Sequence, residues 1–528
     1  VADADSTILA IDLGTSGPKV ALMTLTGEVL GSAKSPTPLS LPSPGAAEQK
    51  PADWWNAIVD AAGQLWERKV ADPSSVIAVC TTAQWAGTVP VDERGAPLRD
   101  AIIWMDTRGA KYVQQLVSGV VKVEGYGATK LARWLRRTGG VPSLGGKEPV
   151  AHILYLRHEH PKIYEQAYKF LEPKDWINAK LTGKLAASFD SIALHWVTDN
   201  RDIDHIAYDD VLLRLSTLPR DKLPDLKASV DVLGTVTPAA AKELGIPTSA
   251  KVVMGTPDVQ SAAIGSGAVR DYEAHVYIGT SSWVTCHVPF KKTDILRNMA
   301  SLPSALPGRY FVACAQETAG ACVEWLRDQL LFPKDGFDPV DPPAAFFEQL
   351  EATAGSVPPG SDKVLFTPWL FGERCPVADP HLRAAFFNLS LTTTRAHLCR
   401  AILEGVAFNV RWLLEAQEKF VGRQLQPLRM IGGGANSALW CQIHADVLNR
   451  DIAMVERPVE CNARGAGLLA AIGLGHMSVE SIADVVKVQQ TFRPRPQHRA
   501  IYDELYGAYR RLYRANRGIY AQLNREDR

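Results

Sequence analysis

Two short corners and one carboxylate carry the residue types best suited to chemistry. Residues 8–22 hold Gly14-Thr15-Ser16 between runs of alternating β-branched and apolar residues, and residues 274–288 hold Gly279-Thr280-Ser281 in the same setting. Each reads as strand, tight turn, strand. Such a corner aims backbone N–H groups and hydroxyls into one small space that suits phosphate oxygens. One corner in each half describes a clamp for a polyphosphate, the arrangement of an ATPase. Asp258 follows the strand-end pair Thr256-Pro257 and opens a run of small residues, Gln260 to Gly267. It would sit at the carboxyl edge of a sheet, where open α/β folds bind ligands. An isolated Asp at a helix start is a cap; two phosphate corners in the same chain make it the candidate general base.

Three further groups fit the same chemistry. Asp12, at the end of the first strand, is placed to organise Mg²⁺ directly or through water, with a turn cap as its plain structural role. Lys19 follows Ser16 by three residues and offers a point charge to phosphates. Gly432-Gly433-Gly434 after a strand, with Asn436-Ser437 opening a helix, suits a nucleotide, because glycine lets backbone approach a purine or phosphate while Asn or Ser caps the helix. Three lookalikes carry less. Gly465-Ala466-Gly467-Leu468-Leu469-Ala470 fits G-x-G-x-x-A but has no strand before it. Ser16-Gly17-Pro18-Lys19 fits S-x-x-K without the partner motifs of that class, and no P-loop is present.

These groups need an α/β scaffold. The first strand pair, about 7–31, leads to a helix from about Pro51 to Val70 with apolar residues at 54, 55, 58, 59, 62, 65 and 66. A buried strand at 76–82, a helix starting at Pro173, and a strand at 251–255 follow. The second half repeats the plan from about 270, with its strongest helix near 397–419 and a strand at 428–431. Tyr502, Tyr506, Tyr509 and Tyr513 form a packing stripe on a terminal helix. The chain's 528 residues allow two to four domains. Division at 1–269, 270–485 and a helical tail 486–528 matches the repeat.

Composition narrows the partners. Apolar residues make up 46% and charged residues 22%, as in a globular protein with large cores, and 57 basic residues balance 57 acidic ones. That balance argues against nucleic acid or a polybasic membrane surface as the main partner. Eight scattered cysteines form no C-x-x-C and no ligand cluster, so they read as reduced buried thiols. No stretch approaches the roughly 20 apolar residues of a membrane span, and the acidic start lacks a leader pattern. The expectation is a cytoplasmic protein, with a homodimer left open.

Together the motifs resemble the FGGY carbohydrate kinases of the hexokinase/actin-like ATPase superfamily, over nearly the whole chain. The resemblance rests on Asp12-Leu13-Gly14-Thr15-Ser16, Ile103-Trp104-Met105-Asp106-Thr107-Arg108, Pro173-Lys174-Asp175-Trp176, Gly255-Thr256-Pro257-Asp258, Gly279-Thr280-Ser281, Pro368-Trp369-Leu370-Phe371-Gly372-Glu373-Arg374, residues 395–408, and Gly432 to Ser437. It implies two ribonuclease-H-like domains closing on MgATP and a sugar, with Asp258 as base and metal partner and Asp12 supporting the metal. It also implies that Thr15, Ser16, Lys19, Gly279 and Thr280 face the terminal phosphates. Gly320 and Glu324 would belong to a nucleotide-side helix, and Gly433, Gly434, Asn436 and Ser437 would line the adenosine.

On the sugar side the pattern is most similar to the xylulokinase branch, which commonly carries Gln-Met-His-Gly where this chain has Gln84-Trp85-Ala86-Gly87. The exchange removes a polar partner for a sugar hydroxyl and adds a flat apolar face. Trp104 and Asp106 join Gln84, Trp85 and Ala86 as sugar-side candidates, with Arg108 beside them; an ion pair holding the loop is the equal alternative. Asn388 stands where the family usually has Gly, and His152-Ile153-Leu154-Tyr155 where it has Lys-x-x-Trp. The expected reaction is phosphorylation of a primary hydroxyl on a small sugar, a ketopentose such as D-xylulose first. Another ketose, a sugar alcohol or an aldonate comes next. A catalytically weak sugar sensor or an actin-like assembly protein is the alternative of another class.

Overall fold

The computed structural model describes residues 5–336 and 340–524. The first lobe is built on a six-stranded sheet: β1 (Thr7–Gly14), β2 (Gly17–Thr24), β3 (Val29–Lys34), β4 (Val76–Ala83), β5 (Val232–Thr235) and β6 (Lys251–Pro257). Their spatial order is β5-β6-β4-β1-β2-β3. β1, β2 and β3 form an antiparallel meander, β4 and β6 run parallel to β1, and β5 closes the edge antiparallel. The second sheet contains β7 (Ala274–Ile278), β8 (Ser282–Val288), β9 (Thr293–Asp294), β10 (Met299–Pro303), β11 (Tyr310–Gln316), β12 (Leu428–Ile431), β13 (Ile452–Val455) and β14 (Val488–Phe492). Its order is β9-β10-β11-β8-β7-β12-β13-β14. Six of them, β11-β8-β7-β12-β13-β14, repeat the first sheet: an antiparallel trio, two parallel strands, and an antiparallel edge. The duplication expected from the two corners is a duplication of whole sheets.

Helices pack on both sheets. α1 (Pro51–Glu67) buries Trp54, Ile58, Ala61, Ala62 and Leu65 along one stripe against the β1/β2 side. α2 (Pro173–Thr182) and α3 (Asp258–Ser266) complete the part of the first lobe used below. In the second lobe come α4 (Gly320–Trp325), α5 (Arg395–Val421), α6 (Ala438–Leu448), α7 (Cys461–Gly473) and α8 (Arg499–Leu523). α5 starts with a reciprocal Thr394/His397 cap and stops at Gly422, which has a left-handed backbone. Residues 486–528, expected as a helical tail, first contribute the edge strand β14. Only then does α8 lay Tyr502, Tyr506 and Tyr509 onto Phe408 and Trp412 of α5.

The lobes share a core. Ala262 and Ile264 of α3 and Ala463, Ala466 and Leu469 of α7 belong to one buried cluster with Ile8, Ala10 and Ala21 of the first sheet and Ile431 and Val455 of the second. The two helices touch backbone to backbone. A Cβ on Gly265 would sit 1.7 Å from the Cys461 carbonyl oxygen, and one on Gly465 would sit 1.9 Å from that of Ser261. The G-x-G-x-x-A string at 465–470 is therefore a helix-crossing surface. All eight cysteines are buried and unpaired, and among the described residues no helix is long and apolar enough to cross a membrane.

Candidate active site

Parallel pairing brings the ends of three strands to one edge. Leu13 lies opposite Ala83, and Ala83 opposite Pro257, so the Gly14–Gly17 corner, Gln84 and Asp258 emerge together. In the second lobe Tyr277 pairs with Ile431, which sets the Gly279 corner beside Gly432. The edges face each other. Lys19 on β2 donates to the carbonyl oxygen of Val459, across the lobe boundary, and Asn462 at the start of α7 lies near enough to the Asp12 carboxylate to favour its charged form.

Two carboxylates occupy the junction. Burial pushes Asp258 up to about 7, the Asp12 charge adds to the rise, and the Val259 N–H opposes it. Burial likewise raises Asp12 to about 6 against the opposing pull of Lys19 and Asn462. Asp258 keeps partial exposure, whereas Asp12 is 8% exposed and its Oδ1 has no hydrogen-bond partner. A buried carboxylate oxygen left free beside a second carboxylate fits a divalent cation, a hard ion that takes oxygen ligands. Tyr277 of the second lobe completes the junction. Burial and the charges of Asp12 and Asp258 hold its phenol up at about 12, and its ring stacks on Trp283 at 3.8 Å.

The residues expected on the acceptor side form a side-chain network. The Thr15 hydroxyl donates to Gln84 Oε1 at 3.2 Å and accepts from Trp104 Nε1 at 3.0 Å. Gln49 links this pair to the corner, accepting from Gln84 Nε2 and donating to the Thr15 carbonyl, both at 2.8 Å. Thr15, expected toward the phosphates, thus turns its hydroxyl to the sugar-side residues, while Ser16 stays exposed. Lys19, expected on the phosphates, is directed instead to Val459. Asp106 is a support and not a pocket wall: it is fully buried and accepts from the N–H of Ala47, the N–H of Arg108 and Arg108 Nε, each at 2.9 Å. Trp85 donates through Nε1 to the Ser191 carbonyl at 3.0 Å. Ala86 adopts a left-handed φ of 65°, and the next N–H, on Gly87, donates to Glu172 Oε2 at 3.1 Å.

The residues expected on the nucleotide side are tied together through backbone. Gly320 N–H donates to the Gly279 carbonyl at 2.7 Å, and the N–H groups of Ala319 and Ala321 donate to that of Thr280 at 2.9 and 3.1 Å. The start of α4 is thereby fixed on the corner. Thr280 and Glu324 are exposed, as are Gly433 and Asn436. Gly434 packs on Ile278, and the Ser437 hydroxyl caps α6 by accepting from Trp440 N–H at 3.1 Å.

Gln49, Tyr277, Glu317, Arg374 and Asn462 join the site without having been singled out from the sequence. The Arg374 guanidinium from the second lobe lies 5.9 Å from the Trp104 ring centre and is held by both oxygens of Glu317 at 3.0 Å. Lys147 of the first lobe approaches the same Glu317 at 3.9 Å. Arg374 stands in a quoted motif; Gln49 and Tyr277 carried no local signal.

Twin sheets of this topology, closing duplicated corners on a pair of carboxylates, define a two-lobed phosphotransferase of the ribonuclease-H-like type. Residues 7–265 match the N-terminal domain, and residues 274–474 the C-terminal domain, of the FGGY family of carbohydrate kinases. The chain belongs to that family and is a carbohydrate kinase. A xylulose kinase of Staphylococcus epidermidis is 29% identical over 98% of both chains. A gluconokinase of Bacillus subtilis is 25% identical over 98% of both. The fold overlays ligand-bound xylulose kinase from Lactobacillus acidophilus with a TM-score of 0.85 at 22% identity, covering 98% of this chain and 100% of that one.

Proposed function

We propose that the protein transfers the γ-phosphoryl group of ATP to a primary hydroxyl of a small sugar, a ketopentose such as D-xylulose first. The observation that carries this reading is Asp258, partly exposed where the two corners meet and pushed up to about 7 beside Asp12. A base is most effective when its pKa lies near the working pH. Asp258 takes the hydroxyl proton as the oxygen attacks phosphorus in line. Gln84, Trp85, Ala86 and Trp104 hold the acceptor. Ser16, Gly279, Thr280 and Gly320 surround the phosphates, and Glu324, Gly433, Gly434, Asn436 and Ser437 lie along the nucleoside. In this division residues 1–269 serve sugar and phosphate, and 270–485 the nucleotide. Asp12 and Asp258 are the residues that would hold Mg²⁺, which supplies charge neutralisation to the phosphate oxygens. Eight buried, unpaired thiols support a reducing, cytoplasmic setting.

An aldonate is the second reading. Lys147 and Arg374 bring two cations to the mouth, where Glu317 opposes them and burial holds the neighbouring Glu373 up at about 7. A substrate carboxylate would take up the surplus charge. ADP release measured across ketoses, polyols and aldonates separates the readings. Turnover should peak with ketopentoses, and Asp258→Asn should lose about 10²–10⁴ in kcat while still binding ATP. Parental speed in that variant removes Asp258 as the base. Silence with every sugar, with sugar-independent ATP hydrolysis or filaments, removes the kinase reading.

A further inference from the structure

The strand that delivers Asp258 is not straight. Pairing of β6 with β4 slips between Val253 and Thr256, leaving Met254 and Gly255 in a bulge. Bulges beside active sites re-aim side chains. Gly255 has a φ of 71°, and a Cβ there would lie 1.9 Å from the Thr81 carbonyl oxygen. The bulge then draws in a set of buried polar groups. Met254 N–H donates to the Asp231 carbonyl and Gly255 N–H to that of Ser229, each at 2.9 Å. The Met254 carbonyl accepts from Asn178 Nδ2 at 2.7 Å and from Lys174 Nζ at 3.2 Å. Thr256 Oγ1 donates to Asp190 Oδ2, and Ser229 Oγ to Asp190 Oδ1 at 2.6 Å.

The same groups reach the sugar loop. Lys174 is ion-paired with Asp175, whose Oδ2 accepts from Ser191 Oγ at 2.9 Å, and the Ser191 carbonyl accepts from Trp85 Nε1 at 3.0 Å. Lys174 is 2% exposed, and Asp175, Asn178, Asp190, Ser191 and Thr256 are fully buried. Removing an ion pair from water costs several kcal/mol per ion, and apolar residues hold a core as well or better. This cluster therefore does something other than fill volume: its donors and acceptors end on the residues just ahead of Asp258 and on the loop that carries Trp85.

We propose that Asp190, Lys174 and Asn178 are positioning residues for phosphoryl transfer, which lock the Met254–Thr256 bulge so that Asp258 and the 84–87 loop keep one fixed spacing. The proposal rests on the reading of Asp258 as the base. Thr256→Val keeps the side-chain volume and removes the hydroxyl that reaches Asp190. It should lower kcat by about 10–100-fold, the scale of a 1 Å misplacement, with KM for ATP within about twofold of the parent and Thr256→Ser restoring most of the rate. Asn178→Leu should act in the same direction. Because Asn178 Oδ1 has no partner, that variant loses only the donor to Met254 and decides the matter should Thr256→Val not fold. Parental kcat in Thr256→Val or Asn178→Leu overturns the proposal, as does a folded Thr256→Ser no faster than Thr256→Val. Asp258→Asn, assayed alongside, keeps the questions apart: if it retains parental speed the base assignment falls, and if it is inactive while Thr256→Val is fully active only the positioning role falls.

Discussion

The two Gly-Thr-Ser corners begin from nearly the same local sequence and are held in opposite ways. The first is fastened mainly by side chains: Gln49, Gln84 and Trp104 all bond Thr15, beside one main-chain bond from Thr37 N–H to the Ser16 carbonyl. The second is fastened by main chain, with Ala319, Gly320 and Ala321 donating to the carbonyls of Gly279 and Thr280. A corner fixed by side chains changes its ligand when one residue changes; a corner fixed by backbone keeps its shape whatever its neighbours are. That difference suits a kinase in which the acceptor varies and the phosphate donor does not.

Exchanging glycine for alanine at equivalent positions gives the sharpest contrast. A Cβ on Gly279 would lie 2.2 Å from Tyr277 Oη and 2.4 Å from its ring, which is itself stacked on Trp283. At Gly14 the nearest atom would be 3.6 Å away, an ordinary contact. Gly279→Ala should therefore lose about 100-fold in kcat/KM for ATP, the cost of a displaced phosphate contact. Gly14→Ala should stay within about threefold. Equal losses at both positions would mean the corners are built alike.

Threonine-to-valine exchange is gentler and should split by substrate. Thr15→Val strands Trp104 Nε1 and Gln84 Oε1, so KM for the sugar should rise about 5–10-fold, as for the loss of two part-buried hydrogen bonds, with KM for ATP nearly unchanged. Thr280→Val removes an exposed hydroxyl and should raise only KM for ATP, by less. A shared rise in both constants for either variant would show that the corners do not divide acceptor from donor.

Both corners were legible in the sequence because alternation fixes a strand and glycine fixes its turn, and β4, β6, β12, α1 and α5 followed from the same periodicities, whereas β5, β11, β13, β14 and α7 were not anticipated. The direction Thr15 takes was not legible. Its partners Gln84 and Trp104 lie 69 and 89 residues away, and nothing local distinguishes Thr15 from Thr280. Tyr277 likewise reads as one more apolar residue of a strand until the other lobe sets Asp12 and Asp258 near it. The family motifs did mark Asp258 and Lys174, yet the slip in β6 that joins them arises from strand pairing. Asp106 was left between the pocket and an ion pair holding its loop, and three donors from Ala47 and Arg108 decide for the second.

The smallest expected effect is on stability, and it has opposite signs at the two corners. Burial raises Asp258 and Asp12 to about 7 and about 6. Between pH 4 and 7 the folded protein therefore binds more protons at these groups than the unfolded chain does, and their contribution falls as pH rises through that window. The strands of the second corner carry His275 and His287, each lowered by burial to about 3. There the unfolded chain binds more protons from about pH 6.5 downward, so their contribution is lost as pH falls toward 3. Asp258→Asn should remove part of the decline on the alkaline side alone. Its melting temperature, without nucleotide, should exceed the parent's by about 1–3 °C at pH 8 and match it near pH 4. A gain of the same size at both pH values would trace the effect to packing, and leave the charge of Asp258 without a cost to the fold.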